Sequence, residues 1–143
     1  MAWGLPFVVF GEALRTWSSG HIKKNKELAT DGPYAYTRNP LYLGSFLMGL
    51  GFSVMVNRPL LLLLFLFAFF VVYRGVIDDE EAALTRLFGE AYLSYARMVP
   101  RFFPRWPGGS KIGGFDWRLV IKHREYYAWF GAVMGLGWLL WRV

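Results

Sequence analysis

The chain has 143 residues, of which 55% are hydrophobic, 20% aromatic and 18% charged, and its formal net charge is +6. This length allows one domain, and the balance of apolar to charged residues is typical of an integral membrane protein rather than a soluble one. The absence of cysteine excludes disulfides and cysteine-ligated metals, and His21 and His123 are too far apart to predict a metal site. The basic residues lie between apolar segments, which indicates lipid headgroups rather than nucleic acid as the acidic partner.

Four apolar segments predict an all-α integral membrane fold in a single domain over residues 1–143. The spans are expected at about residues 2–14, 40–56, 59–77 and 126–141. The first segment is shorter than the ~20 residues that a membrane helix normally takes. Asn57-Arg58-Pro59 makes a tight turn between the second and third spans, so residues 40–77 are predicted to form a central antiparallel hairpin.

Small residues recur at helical spacing in two of the predicted spans. Ser45, Gly49 and Ser53 fall on one face of the second, and Gly131 and Gly135 are four residues apart in the fourth. Such stripes let another helix approach closely. They predict helix packing within the membrane and would permit a homo-oligomer.

Most of the lysines and arginines lie in two polar segments, residues 15–39 and 78–125. With four spans both segments fall on one side of the membrane, and the positive-inside rule makes that side the cytoplasm. We therefore expect the catalytic face to be cytoplasmic, at a bacterial-type inner membrane or an endomembrane.

The second polar segment contains an apolar repeat of helical period, which predicts an amphipathic cytoplasmic helix over Glu80–Ala96. Asp78 and Asp79 would support its N-terminus, and Gly89 would be tolerated within it at some cost.

Two polar clusters are expected to meet on the cytoplasmic face. The stretch from Asp31 to Tyr42 packs two prolines, a glycine and three tyrosines at the mouth of the second span, and four carboxylates follow the third span at 78–81. The hairpin would bring both together, as a binding site requires. The alternative is an aromatic interfacial belt beside a solvated acidic helix start.

Two sequence blocks have a family-specific spacing. The first is Gly32-Pro33-Tyr34-x-x-x-Arg38-Asn39-Pro40-x-Tyr42. The second is Glu80-Glu81-x-x-Leu84-x-x-x-Phe88-Gly89-x-x-Tyr92-x-x-Tyr95, followed by Val99-Pro100-Arg101. Together they resemble the integral-membrane methyltransferases, which include isoprenylcysteine carboxyl methyltransferase and the phospholipid N-methyltransferases.

The resemblance implies S-adenosylmethionine as the methyl donor. The positions that match cofactor contacts of the prenylcysteine enzymes are Tyr34, Asn39, Pro40, Leu41 and Tyr42, together with Lys26–Ala29. The Gly-x-Gly and Glu-Glu motifs of the phospholipid enzymes match Gly49-Leu50-Gly51 and Glu80-Glu81.

Roles follow from the chemistry of these groups. Glu80 or Glu81 would accept hydrogen bonds from the cofactor's ammonium or ribose, or take a proton from an amine acceptor. Arg38, or the free backbone amides at the start of the second span, would hold the cofactor carboxylate, while the rings of Tyr34 and Tyr42 would flank the adenine or sulfonium. Candidates for positioning a carboxylate acceptor are Arg74, Arg97 and Arg101.

Two departures weaken the case for a prenylcysteine substrate. Asn39 stands where those enzymes usually carry histidine, and Val76 stands where an arginine would precede the glutamates. A phospholipid amine, a prenylcysteine-like carboxylate and a small lipophilic thiol or amine all remain open as acceptors. A sterol-reductase-like enzyme using NADPH and a non-enzymatic membrane scaffold are the alternative functions.

Overall fold

The computed structural model describes residues 2–21, 28–30, 32–106 and 115–142. Lys26, one of the expected cofactor contacts, lies outside the described residues. The described part is helical and contains no strand, which confirms the all-α prediction. A 3-10 helix (Ala2–Gly4) precedes α1, and another (Gly32–Ala35) precedes α2. The α-helices are α1 (Leu5–Ser19), α2 (Pro40–Val56), α3 (Pro59–Phe88), α4 (Glu90–Met98), α5 (Trp117–Lys122) and α6 (Tyr126–Trp141).

The observed α2 and α6 have the predicted bounds. Pro40 and Pro59 are the first residues of α2 and α3, where a fixed φ suits the helix and a missing N–H costs nothing. Asn57 ends α2 in the left-handed region, with φ 56° and ψ 42°, and so reverses the chain into α3.

The first helix is longer than the predicted span of 2–14, because it continues through polar residues to Ser19. The hydroxyl of Ser18 donates to the carbonyl of Leu14 at 2.7 Å, and that of Ser19 donates to the carbonyl of Thr16 at 3.0 Å. These hydroxyls find hydrogen-bond partners within the helix, so polar residues at this point of the sequence do not mark the end of the helix.

The prediction of a separate helix beginning near Glu80 was wrong. The third helix runs unbroken for 30 residues, about 45 Å at 1.5 Å per residue, and passes through the acidic cluster. Asp78 and Asp79 are therefore interior residues rather than N-terminal caps. The break comes at Gly89, whose φ of 55° is disfavoured for other residues, so Gly89 separates α3 from α4 instead of lying within one helix.

Among the described residues, only α3 is both long and apolar enough to cross a membrane. Its most apolar 18-residue window has a mean hydropathy of 2.6, and 11% of that window is buried. The second helix is apolar but shorter. Four spans therefore remain a prediction.

The closest helix pair is α1 and α2, rather than the α2–α3 hairpin that the sequence predicts as central. A Cβ on Gly51 would lie 2.6 Å from the carbonyl oxygen of Gly4, and one on Gly11 would lie 2.5 Å from that of Gly44. The two backbones touch at these glycines.

The predicted small-residue stripes are only partly used for packing. Gly49 faces the ring of Phe65 on α3, and Gly135 faces Phe52, but a Cβ on Gly131 would meet nothing within 4 Å. A buried apolar cluster joins α1, α2 and α6 through Val8, Met55, Ala132 and Leu139.

Candidate active site

The chain just before α2 lies against the chain just after α4. The backbone N–H of Arg38 donates to the carbonyl of Pro100 at 2.9 Å, and that of Arg105 donates to the carbonyl of Tyr36 at 3.0 Å. These bonds align the two segments, so that each contributes side chains to one site.

Asn39 and Thr37 strengthen this alignment with side-chain bonds. The amide Nδ2 of Asn39 donates to the carbonyl of Arg101 at 2.7 Å, and the hydroxyl of Thr37 donates to the carbonyl of Phe102 at 2.8 Å. Both side chains are buried, with 7% and 1% of their surface exposed. Asn39 therefore fixes the backbone of Arg101.

Glu81 lies between two arginines from the aligned segments. Its Oε1 is 3.1 Å from Nη1 of Arg38 and 3.2 Å from Nε of Arg101. Arg101 also pairs with the carboxylate of Asp78, one turn before Glu81 on α3. That hydrogen bond raises the pKa of Arg101, so its guanidinium stays charged.

Several polar atoms of this cluster are hidden from solvent but have no hydrogen-bond partner. They are Nε of Arg38, Nε of Arg101 and Oε1 of Glu81. Nε of Arg101 and Oε1 of Glu81 face each other at 3.2 Å as an ion pair, so Nε of Arg38 is the atom of this set that the cluster leaves without a partner. A buried polar group without a partner calls for an explanation, and a bound polar ligand is one.

Tyrosines border the carboxylates on the α2 side. The phenol of Tyr42 lies near the carboxylate of Glu80, and its ring meets that of Tyr73 edge-on with centroids 5.1 Å apart. The hydroxyl of Tyr95 donates to the carbonyl of Tyr34 at 2.6 Å. Burial, with Tyr95 and Glu80 nearby, raises the pKa of Tyr34 well above its usual value, so this phenol stays neutral.

An aromatic groove of about 620 Å³ opens beside the ion cluster, along the middle of α3. Two cations, Arg74 and Arg101, contribute to its walls. Its aromatic lining includes Phe69, Phe70, Tyr73 and Phe102. The groove can hold a long apolar group with an anionic end near the arginines.

Most of the predicted site residues lie in or beside this region. Those placed there are Tyr34, Arg38, Asn39, Tyr42, Arg74, Glu80, Glu81 and Arg101. Pro40 is buried at the start of α2, and Leu41 follows it on the same helix.

The other predicted residues lie apart from the cluster. The guanidinium of Arg97 is exposed and 4.0 Å from Glu90 on its own helix. Gly49 and Gly51 face neighbouring helices, Gly49 towards Phe65 on α3 and Gly51 towards α1. The proposed roles of these three residues remain predictions.

Two ion pairs were not expected from the sequence. Asp78 pairs with Arg101, and Arg15 on α1 pairs with Glu125 at the start of α6, with Nε 2.7 Å from Oε1. The sequence signal for these two pairs was that opposite charges stand at the ends of apolar segments. The sequence could not show which of many such charges would meet.

Within the described ranges, no three His, Cys, Asp or Glu residues are grouped so that they could hold a metal ion.

Comparisons with known proteins agree on one family. The model of the phospholipid methyltransferases matches residues 2–91. The Protein-S-isoprenylcysteine O-methyltransferase of Rattus norvegicus is 33% identical over 122 residues, which cover 77% of this chain and 43% of the relative. The protein of the same name from Schizosaccharomyces pombe is 36% identical over 115 residues, covering 72% and 49%.

A third relative has a different kind of name. The nickel-cobalt-cadmium resistance protein NccN of Alcaligenes xylosoxydans xylosoxydans is 36% identical over 104 residues, which cover 71% of this chain and 48% of that protein. The chain thus spans less than half the length of each of these three relatives.

Proposed function

The chain belongs to the phospholipid methyltransferase family, and from that premise we propose that it transfers a methyl group from S-adenosylmethionine to a lipophilic acceptor at a membrane surface. The observation that carries the proposal is the position of Glu81 between Arg38 and Arg101, beside the pair formed by Tyr42 and Glu80. Two segments far apart in sequence form this site, and most of it lies within the two family-specific blocks.

The unfilled polar atoms fit the groups of the cofactor. Its amino-acid end carries a carboxylate and an ammonium, which need a cation and an anion side by side. Arg38 offers a buried Nε without a hydrogen-bond partner, and Glu80 offers an exposed carboxylate. The rings of Tyr42 and Tyr73 provide an aromatic surface for an adenine or a sulfonium.

When bound, S-adenosylmethionine supplies an electrophilic methyl group on a positively charged sulfur. The chain's own task is to position the acceptor in line with that methyl group and to exclude water. Arg38 and Arg101 hold the carboxylate of Glu81 in place, so Glu81 is positioned before the cofactor binds.

The aromatic groove favours an anionic acceptor over an amine. Arg74 and Arg101 both line it, and Phe69 and Phe102 provide apolar wall. A carboxylate is already nucleophilic, so its methylation needs no general base, and the arginines need only orient it. The names of two relatives specify isoprenylcysteine O-methylation, which agrees with an acceptor of this shape and charge.

Membrane residence supports a lipophilic acceptor. The first 18 residues or so of α3 are apolar and largely exposed, while its last turns carry the charged residues of the site. At about 45 Å this helix is longer than the ~30 Å hydrocarbon core. We infer that its C-terminal turns project from the membrane on the cytoplasmic face, and that the acceptor enters the groove from lipid.

The comparisons do not favour the reductase-like or scaffold alternatives. A direct test is calorimetry of the purified full chain in neutral detergent, titrated in parallel with S-adenosylmethionine and NADPH. Binding of the first alone supports the proposal, binding of NADPH alone supports a reductase, and binding of neither supports a scaffold.

The acceptor class is tested by transfer of a labelled methyl group to two defined compounds, a prenylated cysteine carboxylate and phosphatidylethanolamine. Preferred labelling of the carboxylate is expected. Preferred labelling of the amine would contradict the role given to Arg74 and Arg101.

A further inference from the structure

A second groove, of about 640 Å³, lies between α1 and α6. Most of its wall is apolar, with Val8 and Val9 from α1 facing Ala132, Val133 and Leu136 from α6. The methyl-transfer site does not use this groove, because none of the residues that line it belongs to the ion cluster or the aromatic groove.

One acidic side chain interrupts the apolar wall. Both carboxylate oxygens of Glu12 are hidden from solvent, and neither has a hydrogen-bond partner among the residues that the structure describes. An ionisable group without a partner in an apolar setting is costly, and in a membrane span, where the sequence predicts Glu12, it marks a ligand or ion pathway by default. Glu12 is thus an acceptor of hydrogen bonds that the fold itself leaves unused.

The charges around Glu12 do not balance. Arg15 is its nearest described cation, but Nε and Nη2 of Arg15 donate to the two oxygens of Glu125, at 2.7 and 3.2 Å, and Nη1 donates to Ser45. Two carboxylates therefore share one guanidinium, and that guanidinium is committed to Glu125. A proton on Glu12 or one more positive charge would neutralise the group.

Three indoles line the same groove, those of Trp17, Trp117 and Trp129. Nε1 of Trp129 donates to the hydroxyl of Thr16 at 2.8 Å, which holds that ring in place. Aromatic faces attract alkylammonium groups, and a carboxylate with several indoles is a typical setting for recognising them. The apolar helix faces beside them provide room for a hydrocarbon chain.

We propose that this groove binds an amphiphile with an ammonium head group, whose charge pairs with Glu12 and whose chain lies between α1 and α6. The occupant reaches the groove from the membrane, because Val9 and Val133 at its edge are exposed. This site is separate from the aromatic groove, which carries arginines and suits an anion. The proposal does not depend on the methyl-transfer reaction.

The test is calorimetric titration of the full chain, in neutral maltoside detergent at pH 8.5, with dodecylammonium chloride and with sodium dodecanoate. Saturable binding of the ammonium compound alone is expected. Glu12→Gln should weaken that binding by about thirtyfold or more, because a buried charge pair loses one partner. Glu90→Gln, which removes an exposed carboxylate on α4, should leave it unchanged.

Equal affinity for the two probes, or equal affinity of the wild-type chain and Glu12→Gln for dodecylammonium, would overturn the proposal. If circular dichroism shows that Glu12→Gln is unfolded, Trp117→Ala replaces it, since this indole is largely exposed and lies in the groove. A severalfold loss is then expected, and an unchanged affinity overturns the proposal. Binding of S-adenosylmethionine is measured on the same samples, so loss of methyl transfer and loss of this site are distinguished.

Discussion

Oε1 of Glu81 lies 3.1 Å from Nη1 of Arg38, although one residue belongs to α3 and the other precedes α2. The side chains of Arg38 and Glu81 are 16% and 23% exposed, so this pair is only partly screened by water. Arg101 reaches the same oxygen from the segment after α4. One carboxylate thus holds together the segments on which the proposed reaction depends.

The first prediction concerns this carboxylate. Glu81→Gln should lower the rate of methyl transfer at least 100-fold, equivalent to about 2.7 kcal/mol, because both arginines lose their common anion and no longer present a fixed surface. The measurement is transfer of a labelled methyl group at saturating S-adenosylmethionine. Asp79→Asn is the matched control, since Asp79 is two residues away, exposed and outside the described ion pairs. A similar loss in both variants would contradict the assigned role.

The second prediction concerns Asn39. Asn39→Ala should destabilise the fold by about 1–3 kcal/mol, because the carbonyl of Arg101 loses its donor. It should also raise the KM of the acceptor more than it lowers kcat, since Arg101 would be displaced rather than removed. Thermal unfolding in detergent and steady-state kinetics provide the two measurements.

Asn39→His tests whether the role of Asn39 is to donate the hydrogen bond to the carbonyl of Arg101. A histidine N–H can make the same bond, and histidine is the residue that the prenylcysteine enzymes usually carry here. Recovery of KM in Asn39→His relative to Asn39→Ala is expected. Equal defects in both variants would show that Asn39 acts in some other way.

How far the fold follows from the sequence depends on whether the signals are local. The bounds of α2 were predicted correctly, because Pro40 and Pro59 mark helix starts through their own ring geometry. The end of α3 was placed wrongly, because the acidic cluster resembles a helix start while its neighbours are strong helix formers. The structure places the break at Gly89, whose backbone has a φ of 55°.

Predictions about the site depend in the same way on whether the sequence signal is local. The resemblance places Arg38 and Glu81 in one site, and the structure brings them together. Neither the pairing of Asp78 with Arg101 nor the free carboxylate of Glu12 could be predicted. Both depend on which charges meet in three dimensions, and the chain offers many charges of each sign at similar spacing.

The third prediction separates packing from cofactor binding at the Gly-x-Gly motif. Gly51→Ala should cost about 1–3 kcal/mol of stability, because its Cβ would lie 2.6 Å from the carbonyl oxygen of Gly4 and 2.9 Å from the backbone nitrogen of Val8. Gly131→Ala is the matched control, since nothing lies within 4 Å of its Cβ, and alanine should stabilise that helix by up to about 1 kcal/mol. Thermal unfolding of the wild-type chain, Gly51→Ala and Gly131→Ala checks the expected order of stability.

The same motif gives a further comparison at Gly49, whose Cβ would meet the movable ring of Phe65 rather than backbone. If Gly49 only packs, Gly49→Ala should leave the affinity for S-adenosylmethionine unchanged. A large loss of affinity at unchanged stability would instead support the cofactor role that the resemblance implies.

The fourth prediction is a loss of stability at alkaline pH. Burial raises the pKa of Tyr34, Tyr92 and Tyr95 above the usual value of a phenol. For Tyr95, the neighbouring Tyr92 is a second cause. A phenol whose pKa is higher in the folded state binds its proton more tightly there. Its contribution is therefore complete below the unfolded value of about 10 and is lost as pH rises through the folded pKa.

The expected measurement is a falling free energy of unfolding between pH 9 and 11, with each such phenol contributing a slope of up to about 1.4 kcal/mol per pH unit. Tyr95→Phe should be less stable at pH 8, by about 1 kcal/mol, because the bond to the carbonyl of Tyr34 is lost. It should also have a shallower slope above pH 9, since one titrating group is gone. A wild-type stability that stays level up to pH 11 would contradict the burial of these tyrosines.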